Sequence, residues 1–521
     1  MRKETAGNVG SDGAAGGAAA ASSSKKSPVF GDLPCTIENL PKFAEAAKTT
    51  DNALVQYEGV RYVRKLLSRA QDPPVNDILE AGLLPYLVEA TKRMDQIKTV
   101  FEATWAITNI ASTDYTHTVV DSGACPHLVN LLRSNDANIR EQAAWCLGNI
   151  AGDRSNYRDM LLSSPDSINN LLLNIQTPAN VSLLKNVTWC LSNFCRGKPQ
   201  PKLESIAPAI PALVYLLDHD DAEVLTDAAW ALSYVSDGED SRIEACIKAG
   251  AVPKLVALLR HPNSKVVTPA LRVIGNLVSG SDTLTQAVID GGALDALTYL
   301  LSHKKKGIRK EACWAASNIS AGTHDQIRCI LSNREMMGKI IGHVTEAEWD
   351  VRKEAAWAFC NVATGGTEDM VAELFSLAGA WGGIVGLLTV ADAKIVTLAL
   401  ESTEKGLRVG EDRGLKFSDA FEEGNGADLN GLDCLSNLQD HQNETIYEKA
   451  VDLMRNFFDA EDEENAAEET FAPTSNGKAF CFGDDAPAAP SAPMSFNFGG
   501  ANSANSGFDG RNMQFNFGTA M

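Results

Sequence analysis

Apolar residues recur at helical spacing from Thr36 onward, in short stretches separated by polar turns. The stretch VNDILEAGLLPYLVEATKR predicts a short helix, a glycine turn and a longer helix, and the same layout recurs as VVDSGACPHLVNLLRS, CIKAGAVPKLVALLRH and VIDGGALDALTYLLSH. In each, the glycine permits a left-handed turn at the end of one helix, and a small residue or proline opens the next. The pattern predicts an all-α chain.

Six of the eight tryptophans stand in one frame, in which Trp is followed four residues later by Asn or, once, by Tyr. The pairs are Trp105/Asn109, Trp145/Asn149, Trp189/Asn193, Trp230/Tyr234, Trp314/Asn318 and Trp357/Asn361. Successive tryptophans are 40, 44, 41, 84 and 43 residues apart, and Arg272/Asn276 fills the double interval in the same frame. This period, with helical patterning inside each unit, is typical of a HEAT or armadillo solenoid. Residues four apart share a helix face, so stacked repeats should align the pairs in a row.

Such a row suggests a surface for an extended basic peptide. An Asn carboxamide offers a donor and an acceptor, and so can bind the N–H and C=O groups of a peptide whatever its side chains. An indole gives a flat wall for the aliphatic stem of Lys or Arg, whose cationic end is attracted to the ring and to nearby carboxylates. For a single pair, a core Trp and a capping Asn would be the simpler interpretation. Six pairs in one frame favour the binding array, because we do not expect a core to need Asn at a fixed offset.

Composition narrows the function classes. The 521 residues are 44% hydrophobic and carry a formal net charge of −21, which argues against nucleic acid as the main partner and favours basic ligands. Eleven cysteines without a CxxC pair indicate reduced thiols in the cytosol or nucleus. With no apolar stretch of about 18 residues and no signal-peptide core, we expect a soluble intracellular protein without a membrane partner. No HExxH, Walker A, nucleophile-elbow or metal-spaced His/Cys motif occurs, so we expect neither an enzyme nor a metal or cofactor.

The chain divides into three parts by composition. Residues 1–35 are rich in Ala, Gly and Ser and are predicted to form a disordered leader. Residues 36–460 are predicted to form the solenoid, with about ten repeats. Around residues 405–430 the sequence is polar and Gly-rich, which predicts an insertion in one repeat. Residues 461–521 are predicted to be a disordered acidic tail.

The tail carries two kinds of motif. The stretch DAEDEENAAEE at its start has seven acids in eleven residues. Three Phe-x-Phe-Gly tetrapeptides follow, beginning at Phe480, Phe496 and Phe515. Chance aromatic content is the simpler explanation, but three copies in under forty residues favour a short linear motif.

The repeats resemble those of importin-α, the armadillo adaptor that recognises nuclear localisation signals. The similarity covers roughly residues 36–460 and is carried by FEATWAITNIAS, EQAAWCLGNIAGD, NVTWCLSNFCRGK, WALSYVSDG, VTPALRVIGNLVSG, KEACWAASNISAG and KEAAWAFCNVATGGT. It implies a right-handed superhelix with a major peptide groove on the early repeats and a minor groove on the later ones. The family's array is interrupted by Arg in place of one Trp, and Arg272 keeps that interruption. The resemblance also implies that the protein shuttles between the cytoplasm and the nucleus through the nuclear pore.

The resemblance implies two sets of site residues. The major groove would use Trp105, Asn109, Ser112, Thr118, Gln142, Trp145, Asn149, Asp153, Trp189, Asn193, Asp227 and Trp230. The minor groove would use Arg272, Asn276, Asp282, Trp314, Asn318, Glu354, Trp357 and Asn361. Asp153 matches the family residue that pairs with the key lysine of the signal, and Asp227 matches a second acid of that site. Ser112 and Thr118 match its polar wall.

The implied partners are the basic signals of cargo proteins, importin-β, and an export receptor of the CAS type at the final repeat and acidic stretch. The Phe-x-Phe-Gly motifs resemble those of nucleoporins, and so suggest contact with the pore or with transport receptors. One departure lies in the major groove, where Ser112-Thr113-Asp114 replaces the family's Ser-Gly-Thr. A bulkier residue therefore replaces a glycine that lets the peptide approach.

A second departure concerns the first 35 residues, whose only basic residues are Arg2, Lys3, Lys25 and Lys26. The family has an Arg/Lys-rich segment here that binds importin-β and also folds back into the groove as an autoinhibitor. Two functions therefore stay open on the sequence. One is a nuclear import adaptor, and the other is an armadillo scaffold that binds basic segments without delivering them through importin-β.

Overall fold

The computed structural model describes residues 26–424 and 429–458. Over these residues the chain is helical, and the one β-bridge joins Ser27 to Gly31. In chain order the α-helices are α1 (Leu40–Lys48), α2 (Ala53–Leu67), α3 (Val75–Glu80), α4 (Leu84–Ala90), α5 (Ile97–Ala111), α6 (Thr116–Asp121), α7 (Cys125–Leu131), α8 (Ala137–Asp153), α9 (Ser155–Leu162), α10 (Pro165–Gln176), α11 (Val181–Cys195), α12 (Leu203–Ile206), α13 (Ile210–Leu216), α14 (Ala222–Ser236), α15 (Asp240–Lys248), α16 (Ala251–Leu258), α17 (Ser264–Leu277), α18 (Asp282–Asp290), α19 (Ala293–Leu300), α20 (Lys306–Ser320), α21 (His324–Ser332), α22 (Arg334–Glu346), α23 (Trp349–Gly365), α24 (Glu368–Phe375), α25 (Ala380–Leu387), α26 (Ala393–Arg413), α27 (Phe417–Glu423), α28 (Gly431–Leu438) and α29 (Glu444–Phe457). Short 3₁₀ helices at Ile37–Asn39 and Ala207–Ala209 precede α1 and α13.

The described helices group into ten repeats. The last and longest helix of each, which we call the third helix, packs against the third helix of the next repeat along the whole series. These helices are α2, α5, α8, α11, α14, α17, α20, α23, α26 and α29. The first repeat has only α1 and α2, and α1 packs on α2. The predicted all-α solenoid of about ten repeats is therefore confirmed.

Local sequence signals fix where the third helices begin. In seven of the ten, an Asn or Asp at the N-cap accepts a hydrogen bond from a backbone N–H of the first turn. These caps are Asn52, Asp136, Asn180, Asp221, Asn263, Asp392 and Asn443. Such a cap stabilises a helix start by about 1 kcal/mol relative to Ala. The caps hold the third helices in equivalent registers.

The predicted left-handed glycine turns are also confirmed. Gly123, Gly250 and Gly292 have φ of 76°, 82° and 83°, a region that a residue with a Cβ rarely adopts. Each lies between the first and second helices of its repeat. The chain thus reverses at the same point in each of these repeats, which sets the direction of the following second helix.

The third helices contribute a continuous apolar core between repeats. Their cysteines are part of it, and all ten cysteines of the described residues are free thiols. Burial raises the pKa of the Cys190 thiol well above its ordinary value, and raises the pKa values of Cys313 and Cys360 to about 12. These thiols therefore stay protonated and act as small apolar core residues.

The leader prediction is wrong for residues 26–35. Here the chain makes a turn in which the Ser27 hydroxyl donates to Glu58 Oε2 at 2.6 Å. The Phe30 ring lies 5.0 Å from the rings of both Phe43 and Tyr62. Phe30 covers the end of the first repeat, and together with the Ser27–Glu58 bond it ties this segment to α1 and α2. Composition alone did not reveal these contacts. Residues 1–25 lie outside the described residues.

The insertion predicted around residues 405–430 begins later than expected. Helix α26 continues to Arg413 and ends at Gly414, which has φ of 62°. Helix α27 follows at once, and Phe417 and Phe421 both pack on the buried Trp381. The polar residues Arg408, Glu411, Asp412 and Arg413 are exposed helix positions of α26 rather than a loop. Residues 425–428 lie outside the described residues. The predicted acidic tail from residue 461 also lies outside them.

In the described part of the chain, no single helix combines the length and the apolar content needed to cross a bilayer. The pair Glu368–Phe375 and Ala380–Leu387 meets both criteria only when the two helices are taken together, and it is bent by 94°.

Candidate peptide-binding site

The six predicted Trp residues occupy matching positions on six third helices, and each is half-buried. They are Trp105 on α5, Trp145 on α8, Trp189 on α11, Trp230 on α14, Trp314 on α20 and Trp357 on α23. Arg272 takes this position on α17, which packs between α14 and α20. Because each third helix packs on the next, these residues and their Asn or Tyr partners form a series, which we call the Trp/Asn row.

The Asn carboxamides of the row connect neighbouring repeats. In four of them Nδ2 donates to the backbone carbonyl oxygen just before the matching Asn or Tyr of the preceding repeat. The bonds run from Asn149 to Thr108 (3.3 Å), Asn276 to Ser233 (2.9 Å), Asn318 to Gly275 (3.3 Å) and Asn361 to Ser317 (3.0 Å). Contrary to the expectation from the sequence, Asn at this fixed offset therefore has a structural role between repeats. An Asn amide has two N–H donors and a carbonyl oxygen, so in Asn149, Asn318 and Asn361 this bond still leaves one N–H and Oδ1 for a ligand. Asn276 Nδ2 also donates to Ser236 Oγ at 3.2 Å and so uses both of its N–H groups.

The early end of the row contains polar atoms that lack partners. Asn109 Nδ2 donates to Ser68 Oγ at 3.0 Å, but Asn109 Oδ1 is buried with no hydrogen-bond partner among the described residues. The same holds for Gln142 Oε1 and Trp105 Nε1. Buried polar groups are nearly always paired, so these two acceptors and one donor require a partner that the described residues do not supply.

Two glycines inside third helices make room for the indoles of the next repeat. A Cβ on Gly148 would lie 2.3 Å from Trp189 Cζ3, and one on Gly275 would lie 2.1 Å from Trp314 Cζ3. Glycine inside a helix costs about 1 kcal/mol relative to Ala, so it marks a close approach here. The indoles of Trp189 and Trp314 therefore lie directly against the preceding third helix.

Two arginines of the chain already occupy positions in the row. The Arg64 guanidinium lies 4.2 Å from the Trp105 ring centroid, and its Nε is 2.6 Å from Glu102 Oε2. Arg272 lies 5.5 Å from the ring centroid of Trp314, with its Nη2 2.5 Å from Glu311 Oε1. In both cases the carboxylate belongs to the residue three positions before the Trp. A cation–π contact and a charge-assisted hydrogen bond thus hold each guanidinium at once.

Asp153, the predicted lysine acceptor, is the last residue of α8 and is 14% exposed. Its Oδ2 accepts a hydrogen bond from Nε of the following Arg154 at 2.9 Å. The second predicted acid, Asp227, lies near Tyr234, whose phenol pKa is raised by burial and further raised by Asp227. Arg196 lowers the pKa of the same phenol. Asp153 is therefore paired with an arginine, whereas Asp227 and Arg196 both influence the phenol of Tyr234.

Three other predicted residues have local structural roles. Ser112 Oγ donates to the carbonyl of Asn109 at 2.8 Å, and Thr118 Oγ1 donates to that of Tyr115 at 2.8 Å. Asp282 is the first residue of α18, where a carboxylate is favoured by the helix dipole. Among the described residues, the side chains of these three make no hydrogen bond to a side chain of the row.

The later half of the row contains two half-buried carboxyls, Glu311 and Glu354. Burial raises the pKa of Glu311, against the opposing effects of Arg272 and Lys310. Burial likewise raises the pKa of Glu354, and Glu311 raises it further. A cation bound beside these two acids would favour the charged form of both, so the arrangement suits a cationic ligand.

The repeats match known sequences. Residues 112–152, 198–237, 240–279 and 281–321 match the family described as armadillo/beta-catenin-like repeat, and residues 427–474 match the atypical Arm repeat. Importin subunit alpha-1b of Oryza sativa subsp. japonica is 42% identical over 468 residues, 89% of this chain and 86% of the rice protein. The chain belongs to the importin-α family.

Two other importin-α proteins and one solved structure are also similar to most of this chain. Importin subunit alpha-1a of the same rice is 44% identical over 464 residues, 87% of this chain and 86% of that protein. Importin subunit alpha-2 of Arabidopsis thaliana is 42% identical over 475 residues, 89% of this chain and 86% of that protein. An engineered protein of known crystal structure aligns with a TM-score of 0.68 and 26% identity, covering 80% of this chain and 98% of its own.

Membership of the importin-α family gives this chain the general role of a nuclear import adaptor. No group of His, Cys, Asp and Glu in the described ranges could hold a metal ion. The row offers indole faces and carboxamides, with carboxylates beside them, and these groups can bind a peptide backbone and cations.

Four residues that bear on the importin-α row were missed by sequence reasoning. The residue three positions before each Trp is Glu102, Gln142, Asn186, Asp227, Glu311 or Glu354. Gln142, Asp227 and Glu354 were predicted as site residues. The acids Glu102 and Glu311 were not, although they stand at the same offset in the sequence. Gly148 and Gly275 were also missed, and a glycine inside a helical pattern was the available signal.

Proposed function

We propose that this importin-α protein binds Lys/Arg-rich nuclear localisation signals of cargo in an extended conformation along the Trp/Asn row, for import into the nucleus. The observation that carries the proposal is the position of the Arg64 and Arg272 side chains. Each guanidinium lies over a row tryptophan and against the carboxylate three residues before it. A cargo arginine or lysine would make the same two contacts at Trp230 and Trp357, where Asp227 and Glu354 stand three positions before the Trp. At Trp145 and Trp189 that position is Gln142 or Asn186, so a cargo cation there would share only the contact with the indole.

Backbone recognition would come from the carboxamides. Third helices that pack directly are about 8–10 Å apart, and an extended chain rises about 3.3 Å per residue, so one step of the row spans roughly two to three peptide residues. Asn149 keeps an N–H and Oδ1 beyond its bond to Thr108. Asn193 makes no hydrogen bond from its carboxamide to another described residue, so it keeps both N–H groups. These groups would bind alternating N–H and C=O groups of any extended peptide.

Two stretches of the row would act as separate sites. In the major groove, Asp153 and Asp227 would receive cationic ends, and Trp145, Trp189 and Trp230 would hold the aliphatic stems. In the minor groove, Glu354 with Trp314 and Trp357 would do the same. The Arg272 guanidinium divides the two stretches, because a like charge at that step disfavours a cationic side chain of the ligand.

Fluorescence anisotropy with a labelled lysine-rich signal peptide tests the proposal. We expect Asp153→Lys to abolish binding to the major groove, since it replaces attraction by repulsion in a partly buried position. Asp220→Lys is the matched control, because Asp220 is an exposed acid in the turn before α14 and away from the row. Equal peptide affinity in the Asp153→Lys variant and the wild type would refute the assignment.

Capture by immobilised importin-β then separates the adaptor from the scaffold. Peptide binding with capture supports delivery through importin-β, and peptide binding without capture supports an uncoupled binder of basic segments. The acidic stretch and the Phe-x-Phe-Gly motifs, proposed to contact an export receptor, transport receptors or the pore, lie outside the described residues. Deletion of residues 479–521 tests the motifs, and unchanged association with importin-β and nucleoporins would exclude that role.

A further inference from the structure

The carboxylate proposed to receive the cargo lysine is already bound by a cation of the same chain. Arg154 Nε lies 2.9 Å from Asp153 Oδ2, and the guanidinium also lies 5.0 Å from the ring centroid of Tyr157. A lysine ammonium that reached Asp153 would meet this guanidinium first. The two cations compete for one carboxylate.

Arg154 differs from Arg64, the arginine at the early end of the row, in how exposed its ion pair is. Arg64 is 14% exposed and bound to a carboxylate that is 9% exposed, so its removal from Glu102 would leave a buried charge unpaired. Arg154 is 54% exposed and can return to water when it leaves Asp153. Its stacking partner Tyr157 lies on α9, outside the row. The guanidinium can therefore release Asp153 and keep its contact with Tyr157.

The backbone of Arg154 is held whichever position the side chain takes. Its carbonyl oxygen accepts hydrogen bonds from the N–H groups of Tyr157 and Arg158, both at 3.2 Å, at the start of α9. Its φ and ψ of −153° and 156° are extended, and any residue adopts them. Substitution of the side chain should therefore leave the turn between α8 and α9 intact.

We infer that Arg154 is a specificity-determining residue that competes with the cargo lysine for Asp153. The inference rests on the proposed function of the row. A ligand with a lysine at this step must displace Arg154 from Asp153. The affinity of that ligand is therefore reduced according to the fraction of time that Arg154 occupies the Asp153 carboxylate. A ligand with a neutral side chain there displaces nothing. Arg154 therefore weakens the preference of the site for lysine and favours ligands with enough contacts elsewhere along the row.

The test is a cycle of protein variants and peptides, measured by fluorescence anisotropy on the full chain. The probes are a labelled lysine-rich signal peptide and copies in which each lysine in turn is replaced by alanine. The copy that loses most affinity for the wild type identifies the lysine bound by Asp153. Exposed ion pairs contribute little to stability, so we expect Arg154→Ala to raise the affinity for the parent peptide about two- to fivefold and to leave the affinity for that alanine copy unchanged.

Two further variants separate competition from other effects. Arg133→Ala is the matched control for net charge, because Arg133 is exposed in the turn before α8, and it should leave both affinities as in the wild type. Arg154→Lys restores a competing cation and should return the affinity for the parent peptide toward the wild-type value. The thermal midpoint of unfolding should not change in any of the three variants.

The outcomes are distinguishable from a failure of the proposed function. If the wild type binds the parent peptide and Arg154→Ala binds it equally well, the competition is refuted and the proposed function stands. The competition is also refuted if Arg154→Ala binds the alanine copy more tightly by the same factor, or if Arg133→Ala gains the same affinity for the parent peptide. Either result would mean that the gain in affinity reflects net charge alone. If neither the wild type nor Arg154→Ala binds the parent peptide, both proposals fail.

Discussion

At the scale of single residues, an Asn carboxamide of the row can both join two repeats and bind a ligand. One N–H of Asn149 joins α8 to the carbonyl of Thr108 on α5, and the remaining N–H and Oδ1 are proposed to bind the ligand. The bond between repeats fixes the plane of the carboxamide before a peptide arrives. Preorganised groups of this kind lose little conformational entropy on binding.

The variant Asn149→Ala separates the two functions when it is compared with Asn170→Ala. Asn170 Nδ2 donates to the carbonyl of Val129 at 3.0 Å, so it also joins two repeats, but it lies on α10 and away from the row. We expect each variant to lose about 1 kcal/mol of stability, and only Asn149→Ala to lose peptide affinity. Thermal unfolding and peptide titration measure both effects. Equal losses of affinity would mean that they follow from stability alone.

The half-buried carboxyls of the later repeats predict a pH dependence. Burial and Glu311 raise the pKa of Glu354, so this group takes up a proton at a higher pH than an ordinary glutamate. The affinity of a basic peptide for the minor groove should therefore fall as the pH is lowered from neutral, because the neutral carboxyl no longer attracts a cation. Isothermal titration at a series of pH values measures this.

Two substitutions by glutamine make the pH test specific. Glu354→Gln should bind more weakly at neutral pH and show a flatter profile, since it removes the titrating group. Glu348→Gln should keep the wild-type profile, because Arg309 holds the pKa of Glu348 below its usual range and that carboxylate stays charged. A profile for Glu354→Gln as steep as that of the wild type would contradict the role of Glu354.

At the scale of helices, the row depends on how closely each third helix approaches the next. Gly148 is the contact point between α8 and the indole of Trp189 on α11. Gly275 does the same between α17 and Trp314 on α20. The position before the row Asn is occupied by a small residue in the other repeats too, including Thr108, Ser192 and Ser317. The size of this residue determines how far each indole stands from the preceding helix.

The variant Gly148→Ala tests this packing. Its Cβ would lie 2.3 Å from Trp189 Cζ3, so we expect the indole to shift and the peptide affinity to fall. Ala inside a helix normally stabilises it by about 1 kcal/mol relative to Gly, and here the clash should cancel that gain. Gly338→Ala on α22 is the control, because no atom outside its own helix backbone lies within 4 Å of the added Cβ. The control should raise the thermal midpoint and leave the affinity unchanged, and wild-type affinity in Gly148→Ala would contradict the packing argument.

At the scale of the whole molecule, the repeat period determined most of what the sequence could predict. It gave the all-α solenoid, the number of repeats, the glycine turns and the positions of the Trp residues on the third helices. These depend on local patterning that recurs seven times, so each copy supports the others. The net charge of −21 adds a long-range field that should speed the approach of basic ligands at low salt.

What the sequence did not predict depends on contacts between distant residues. The bond from Asn149 to Thr108 spans 41 residues, and the ion pair of Arg64 with Glu102 spans 38. The ordering of residues 26–35 rests on Phe30 meeting Phe43 and Tyr62. The pairing of Asp153 with Arg154 is local, yet either side chain could have pointed elsewhere. The roles of the row residues in binding stay predictions.

The central claim is that a basic peptide lies extended along the Trp/Asn row. A crystal structure of the protein with a lysine-rich signal peptide tests it most directly. We predict peptide backbone groups bonded to the carboxamides of Asn149 and Asn193, with a lysine ammonium at Asp153 and the Arg154 guanidinium turned away toward Tyr157. A peptide bound away from the row, or bound there in a helical conformation with its lysines in solvent, would contradict the account.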